Sequence, residues 1–181
     1  MDLLLGCGSS RTMRFRAPAE RDHWVDLVTL DINADHKPDV VHDLHRKPWP
    51  FADNTFEQIH AYEVLEHLGQ QGNYGAFFAD FSEIWRILKP DGYLVATSPG
   101  PDSTWAWGDP GHTRIISREC LSFLIQPHYE ACVGKCKMTD YRFCYAADFD
   151  LLVSEVEPQQ QEHLYILRAV KPSRIKLKEA A

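Results

Sequence analysis

The most constraining feature of the sequence is a run of leucines, 3–5, that stops abruptly at Gly6-Cys7-Gly8. A short apolar run that ends in a glycine turn is typical of a strand buried in a parallel sheet. Two later apolar runs are followed closely by an acidic residue, 27–30 by Asp31 and 40–41, after one intervening histidine, by Asp43. Because parallel sheets bind ligands at the carboxyl ends of their strands, the pattern predicts an α/β fold with a binding site along that edge.

The rest of the chain alternates between strand and helix signals. Strands are predicted at 57–62 and 93–97, helices at 74–88 and from Ser117, and a closing antiparallel hairpin at 148–156 and 164–170. Pro18 interrupts the segment between the first two strands, 9–23, so we expect a short helix or an irregular crossover there. This order predicts one doubly wound, mostly parallel sheet in a single domain over 1–171, followed by a basic, frayed tail at 172–181.

Composition limits the class of protein. The 181 residues are 44% hydrophobic, which supports one well-buried domain. No apolar run reaches the roughly 18 residues of a membrane span, and the start of the chain lacks the pattern of a secretory signal, so we expect a cytoplasmic protein without a membrane partner. Five cysteines without a CxxC pair signal neither a disulfide framework nor a thiolate zinc site. A formal charge of −7 does not favour nucleic acid as a partner, although a local basic patch leaves that alternative open.

Three ionisable residues, Glu63, Glu66 and His67, lie in the otherwise apolar stretch AYEVLEHL. One explanation is structural, because carboxylates at the start of a short helix favour the positive end of its dipole. The other is chemical, because the three residues share one face of a helical turn and could converge on a cation. His112 follows the next predicted strand and would lie over the same edge of the sheet as a further ligand.

Five motifs in order resemble class I S-adenosylmethionine-dependent methyltransferases. They are LLLGCGSS, LVTLDIN, PDVVHDL, PWPFADNTFEQIHAYEVLEHL and EIWRILKPDGYLVATSP. The similarity covers about residues 3–125 and extends to the closing hairpin. It implies a Rossmann-like sheet of the seven-stranded type, S-adenosylmethionine as the cofactor, and methyl transfer as the activity.

The resemblance also implies where the cofactor lies. Gly6 and Gly8 let the backbone pass close to a ligand that a Cβ atom would meet, and the Asp31 carboxylate suits the two ribose hydroxyls. Asp43, with the backbone of Leu44, would meet the adenine. Taken singly, a glycine pair is often only a turn, and an aspartate after a strand is often a helix cap. The full set of implied cofactor-binding residues is Gly6, Cys7, Gly8, Asp31, Ile32, Asp43, Leu44 and Tyr62.

A nicotinamide-binding Rossmann domain uses similar parts, namely a glycine turn and an acid at the end of a strand. Its third glycine would stand at position 11, which is Arg11, and 181 residues leave no room for a usual substrate domain. The third glycine of many methyltransferases is also missing, because Ser10 stands in its place. Arg11 or Ser9 is therefore a candidate for holding the cofactor carboxylate.

The ExxEH motif with a later histidine is similar to the metal-binding set of small-RNA 2′-O-methyltransferases and ubiquinone-pathway O-methyltransferases. This similarity implies Glu63, Glu66, His67 and His112 as ligands of a divalent metal. Among Mg²⁺, Mn²⁺ and Zn²⁺, a mixture of carboxylates and imidazoles suits the last two better. His112 acting alone as a general base or substrate contact is the alternative. The predicted catalytic residues are His112, Glu63 and His67.

Together, these observations predict methyl transfer to an oxygen atom, with nitrogen as the next acceptor. A metal or a base would activate a hydroxyl that is otherwise a poor nucleophile at neutral pH. The expected acceptor is a small molecule, or a glycan or nucleotide, that stacks on Trp105 or Trp107; a packed lid is the other role for these indoles. The alternative function is a catalytically silent module that binds S-adenosylmethionine and a partner protein. The oligomeric state is left open.

Overall fold

The computed structural model describes residues 1–18 and 21–175, which form one seven-stranded sheet in the order β3-β2-β1-β4-β5-β7-β6. The strands are β1 (Asp2–Leu5), β2 (Leu27–Asp31), β3 (Val40–Val41), β4 (Phe56–Tyr62), β5 (Leu88–Pro99), β6 (Phe149–Val156) and β7 (Glu162–Ala169). The first five strands are parallel, and β7 runs antiparallel to both β5 and β6. The predicted doubly wound sheet with a closing hairpin is therefore confirmed.

In the part of the chain that the structure describes, four α-helices follow β4 and β5. They are α1 (Tyr74–Ile87), α2 (Trp105–Gly108), α3 (Arg118–Leu121) and α4 (Gln126–Cys132). The Asn73 side chain caps α1 by accepting a hydrogen bond from the Ala76 N–H, which satisfies one of the free amides of the first turn. No helix in the described ranges has the length and apolar character for a bilayer crossing.

The main core lies on one face of the sheet, beneath α1 and the segment that contains α3. Phe78, Phe81 and Ile84 of α1 pack there against strand residues such as Leu94. The opposite face carries a smaller cluster around Val95, because neighbouring residues of a strand point to opposite faces. The sheet is therefore covered thickly on one side and thinly on the other.

The thin cover on the second face is the crossover between β1 and β2. Its described residues contain no helix, so the irregular alternative is the one observed. Ala17, a residue of this crossover, packs against Val95 and Ile166 of the sheet. The Tyr62 hydroxyl accepts hydrogen bonds from the backbone N–H groups of Arg14 and Phe15 at 3.2 and 3.4 Å, which ties the crossover to the end of β4.

The first residues beyond the predicted domain boundary at 171 contact the sheet. Asp148 is fully buried, and its Oδ2 accepts hydrogen bonds from the backbone N–H and the Nε of Arg174 at 2.9 and 2.7 Å. Arg174 also pairs with Asp150 at 2.8 Å. Residues 172–175 are thus held against the sheet by charge pairing, while the rest of the predicted tail, 176–181, lies outside the described residues.

Candidate active site

The turn after β1 has the left-handed backbone that its two glycines permit. Gly6 and Gly8 have φ values of +56° and +51°. A Cβ on Gly6 would lie 2.5 Å from Cγ2 of Val64, so the turn passes directly against the loop after β4. The N–H of Gly8 donates to Oδ2 of Asp31 at 2.8 Å. These contacts join the carboxyl ends of β1, β2 and β4 at one place.

Asp31 is held as a charged group at the end of β2. It is 6% exposed, and its second oxygen accepts the Asn33 N–H at 2.8 Å. Burial acts to raise its pKa, but the N–H groups of Asn33 and Gly8 outweigh this effect and leave the pKa below the usual value. A carboxylate fixed in this way keeps lone pairs free for further donors.

A cavity of about 240 Å³ opens beside this carboxylate. It is lined by Gly6, Leu30, Asp31, Ile32, His42, Asp43, Leu44, His45, Glu63, Val64, His67 and Leu68. Ile32 is 67% exposed and offers an apolar surface at the rim. Asp43 turns one oxygen to the N–H of His45 at 2.9 Å. Five residues of the predicted cofactor set therefore lie on the walls of one cavity.

The other three predicted cofactor residues do not line this cavity. Cys7 is buried in the turn and donates its N–H to the carbonyl of Leu30 at 3.2 Å. Gly8 borders the site through its bond to Asp31. The Tyr62 ring instead faces the crossover, where it contacts Phe15 at a centroid distance of 6.0 Å. Tyr62 holds the crossover in this structure and is not part of the cavity wall.

Arg11 is likewise occupied elsewhere. Its guanidinium donates to the carbonyl of Gly8 at 2.9 Å and to that of His36 at 3.0 Å. It thereby links the turn after β1 to the turn after β2. In this arrangement Arg11 supports the site from outside.

Glu66, His67 and His112 come together beside the cavity, with one potential ligand atom from each lying within 4.8 Å of the others. Glu66 belongs to the 3-10 turn Leu65–His67 and is 1% exposed, and neither of its carboxylate oxygens has a hydrogen-bond partner among the described residues. Nε2 of His112 is 3.8 Å from Oε1 of Glu66. The two imidazole rings are 4.6 Å apart.

Backbone carbonyls orient both imidazoles. Nδ1 of His67 lies 3.0 Å from the carbonyl of Gly111, and Nδ1 of His112 lies 2.8 Å from the carbonyl of Trp105. A carbonyl only accepts hydrogen bonds, so Nδ1 carries the proton in each ring, and Nε2 of a neutral ring keeps its lone pair. This is the arrangement that positions histidines as metal ligands.

The buried carboxyl of Glu66 needs a cation or a proton. Burial raises its pKa to about 8, and the negative charge of Glu63 adds to the effect. Two unpaired carboxylate oxygens without solvent cost several kcal/mol if the group stays charged. One carboxylate beside two imidazole nitrogens is a donor set that a divalent cation fits.

Glu63 does not join this group of three. Its side chain faces Thr97 and Glu162, and burial together with the Glu162 carboxylate raises its pKa to about 7. Glu63 lines the cavity beside Asp31 and also a second cavity of about 210 Å³. Glu63 therefore lies between two cavities. The cavity beside Asp31 is on the β1–β2 side, and the second cavity is on the β5–β7 side.

The second cavity contains residues that sequence reasoning missed. Glu162 at the start of β7 forms an ion pair with Arg14 of the crossover. One terminal nitrogen of Arg14 lies 2.8 Å from each of the two carboxylate oxygens. Trp105, which is 66% exposed, lines the same cavity and is one of the two indoles, with Trp107, that the sequence analysis singled out. No spacing in the sequence marks Arg14 and Glu162, because they meet only through the folded sheet.

A family model described as a methyltransferase domain matches residues 3–96. No curated protein matches the chain by sequence. Among solved structures, similar folds include an S-adenosylmethionine-dependent methyltransferase from Archaeoglobus fulgidus, with a TM-score of 0.55 and 17% identity over 92% of this chain and 85% of that one.

Two further structures show the same likeness. One is an S-adenosylmethionine-dependent methyltransferase from Methanosarcina mazei, with a TM-score of 0.54 and 14% identity over 93% of this chain and 92% of that one. The other is the N-methyltransferase NodS from Bradyrhizobium japonicum in complex with S-adenosylhomocysteine, with a TM-score of 0.50 and 13% identity over 93% and 76%. The sheet and the glycine turn followed by Asp31 define a class I methyltransferase fold. The chain belongs to the methyltransferase-domain family and is an S-adenosylmethionine-dependent methyltransferase.

Proposed function

We propose that the protein transfers a methyl group to an oxygen atom and that Glu66, His67 and His112 hold a divalent cation that activates the acceptor. The observation that carries this proposal is the buried Glu66 carboxyl, whose two oxygens lack partners while two oriented imidazoles stand beside it. The Archaeoglobus, Methanosarcina and NodS structures support the fold, and the acceptor and cation follow from these residues.

In this proposal the cavity beside Asp31 receives S-adenosylmethionine. Asp31 accepts hydrogen bonds from the ribose, Ile32 and Leu44 border the adenine with Asp43, and the Gly6-Cys7-Gly8 turn faces the methionyl end. Asp31 fits this role because its carboxylate is charged, fixed and at the cavity wall. When bound, the cofactor supplies an electrophilic methyl group on its sulfonium sulfur. Tyr62 is not assigned a contact with the cofactor in this proposal, because its side chain contacts the crossover and does not line this cavity.

The second cavity suits the acceptor. It shares Glu63 with the cofactor cavity, so a molecule bound there would lie next to the methyl donor. Trp105 offers an indole face for a planar or sugar-like acceptor, which includes a small molecule, a glycan or a nucleotide. Direct transfer needs alignment of the reacting atoms and no covalent enzyme intermediate. The chain therefore contributes orientation, and Glu63 contributes a carboxyl group close to the acceptor.

The donor set favours Mn²⁺ or Zn²⁺ over Mg²⁺. One carboxylate and two imidazole nitrogens are softer than the oxygen shell that Mg²⁺ prefers. Glu66, His67 and His112 would hold such an ion, and it would supply Lewis-acid activation of a hydroxyl acceptor at neutral pH. In the version without a cation, His112 would accept that proton through its free Nε2.

Nitrogen is the second candidate acceptor. Glu63 and Glu162 line the second cavity with carboxyl groups, which also suit an amine, and NodS is described as an N-methyltransferase. An amine has its own lone pair at high pH and needs no cation.

We also propose that the protein works in the cytoplasm, because all five cysteines are free thiols and suit a reducing compartment.

A turnover assay tests the proposal. We expect chelation to lower conversion of S-adenosylmethionine to S-adenosylhomocysteine, with a panel of hydroxyl acceptors, by about tenfold or more, and Mn²⁺ or Zn²⁺ to restore it. Glu66→Gln should be slow with or without added metal, whereas Glu155→Gln, an exposed glutamate on β6, should behave as the unmodified protein.

Three results would contradict parts of this proposal. Full activity after chelation would remove the cation and leave His112 as the base. Turnover with amines alone would make nitrogen the acceptor. Tight cofactor binding without turnover on either panel would favour the silent module.

A further inference from the structure

A separate cavity of about 210 Å³ lies between the start of α1, the segment 114–123 and Tyr141. Its walls are largely aromatic. Tyr141 contacts Tyr74 and Phe78 at centroid distances of 5.1 Å each, and Phe123 at 5.7 Å. Within the described chain, no residue lines both this aromatic cavity and the cavity beside Asp31. The methyl transfer proposed above makes no use of it.

Arg114 places a positive charge in this aromatic wall. It is 6% exposed, and its guanidinium carbon lies 5.2 Å from the centre of the Phe77 ring. One terminal nitrogen donates to the carbonyls of Gln70 and Asn73 at 3.2 and 3.3 Å. The Nε atom has no hydrogen-bond partner within residues 1–18 and 21–175. A buried guanidinium with an unused donor is costly unless an acceptor completes it.

The charge of Arg114 is also left without a carboxylate of its own. No carboxylate among residues 1–18 and 21–175 forms an ion pair with it. Asp80 is the acid whose negative charge acts on the Arg114 guanidinium. The Asp80 carboxylate is already paired with Nζ of Lys47 at 2.5 Å. The first turn of the 14-residue helix α1 adds its positive end at Asn73 and Tyr74, which also line the cavity. The cavity is therefore both aromatic and electropositive.

We propose that this aromatic cavity is a second ligand site, specific for a small planar aromatic molecule that carries an anionic group such as a carboxylate. The rings of Tyr74, Phe78 and Tyr141 would hold the apolar part by offset or edge contacts. Arg114 and the start of α1 would receive the anion, for which a guanidinium is better suited than an ammonium group. The site does not depend on the acceptor or the cation of the methyl-transfer site.

A set of three probes with one ring system tests this site. They are 1-naphthoate, the neutral 1-naphthylmethanol and the cationic 1-naphthylmethylammonium, each titrated into the full chain with protein-observed NMR. We expect saturable binding in the order anion, alcohol, cation, with naphthoate about tenfold or more tighter than the alcohol, as one hydrogen bond to a charged group predicts. Saturating S-adenosylhomocysteine should not displace naphthoate.

Variants locate the binding. Arg114→Gln should abolish the preference for the anion, whereas Arg16→Gln, a matched change at an exposed arginine of the crossover, should leave it intact. Tyr74→Ala should weaken naphthoate and the alcohol by a similar factor; because Tyr74 is 48% exposed, this variant keeps the test decisive if Arg114→Gln does not fold. Equal affinity for the three probes, displacement by S-adenosylhomocysteine, or unchanged binding in Tyr74→Ala would overturn the proposal.

Discussion

At the residue scale, Glu63 has a backbone conformation that only glycine adopts freely. Its φ is +56°, and its N–H donates to the carbonyl of Thr97 at 3.1 Å. A residue other than glycine in this region stores about 1–3 kcal/mol of strain, and such positions are concentrated at functional sites. The Glu63 side chain lines both the cavity beside Asp31 and the second cavity. It is not part of the group formed by Glu66, His67 and His112.

The first prediction at the residue scale concerns the contribution of Asp31 to ligand binding. Replacing it in Asp31→Ala should weaken S-adenosylhomocysteine binding by about 1.5–3 kcal/mol, the range for hydrogen bonds to a charged group. Calorimetric titration measures the change. Asp35→Ala, in the exposed turn after β2, is the control and should bind normally. An unchanged dissociation constant in Asp31→Ala would place the ribose elsewhere.

Glu66 carries the second prediction, which concerns pH and the metal-free protein. Its folded pKa of about 8 lies above the ordinary 4.5, so the stability it contributes is complete below 4.5 and is lost as the pH rises toward 8. Between about pH 5 and pH 8 the unmodified chain should lose about 2–3 kcal/mol more unfolding free energy than Glu66→Gln.

Urea unfolding in the presence of a chelator measures this difference. The charge of Glu63 acts on Glu66, so the measured difference includes the interaction between these two carboxyl groups. Parallel stability curves for the two proteins would show that Glu66 is not the buried titrating group.

At the element scale, the crossover is an unusual connection, because its described residues cover a sheet face without forming a helix. It is held by side chains instead. Besides accepting N–H groups of the crossover, the Tyr62 hydroxyl lies 2.6 Å from Nδ1 of His60, which is fully buried. Trp24 packs edge-on against the same His60 ring at 4.7 Å. A tyrosine at the end of β4 thus replaces part of the packing that a helix would supply.

Tyr62→Phe tests this role. Losing the hydroxyl removes an acceptor for two backbone N–H groups, so we expect about 1 kcal/mol less stability and faster amide exchange at Arg14 and Phe15. Hydrogen exchange followed by NMR reads both residues directly. Tyr93→Phe, on the neighbouring strand β5, should leave their exchange rates unchanged. If the amides of Arg14 and Phe15 exchange at equal rates in Tyr62→Phe and Tyr93→Phe, the crossover is held by other contacts.

At the scale of the whole molecule, the site lies where the order of the sheet reverses. β1 is flanked by β2 and β4, and ligands of open α/β sheets bind at such a switch point. The antiparallel strand β7 then brings Glu162 next to the end of β5. The site is thus completed by residues from nearly the whole length of the chain.

Arg174 links the C-terminal residues to this framework and carries the last prediction. Arg174→Met should lower the free energy of unfolding by about 3 kcal/mol, because it leaves the buried Asp148 carboxylate without its cationic partner. Thermal unfolding measures the loss. Arg168→Met breaks a pair to the more exposed Asp150 and should cost less. A chain ending at 171 should be destabilised like Arg174→Met; equal stability to the full chain would support a domain boundary at 171.

Local pattern alone determined the strands, the glycine turn, the acids at the strand ends and the histidine after β5. Each of these depends on residues close in sequence, and the sheet order then places Asp31 and Glu66 at one edge. His112 was within reach of the same reasoning because it follows the neighbouring parallel strand.

Only the tertiary structure decided that Glu63 faces Glu162, that Tyr62 holds the crossover and that Arg114 lies among aromatic rings without an ion-pair partner in the described part of the chain. These contacts join residues from separate elements, and they depend on side-chain direction and close packing. Neither follows from periodicity along the chain.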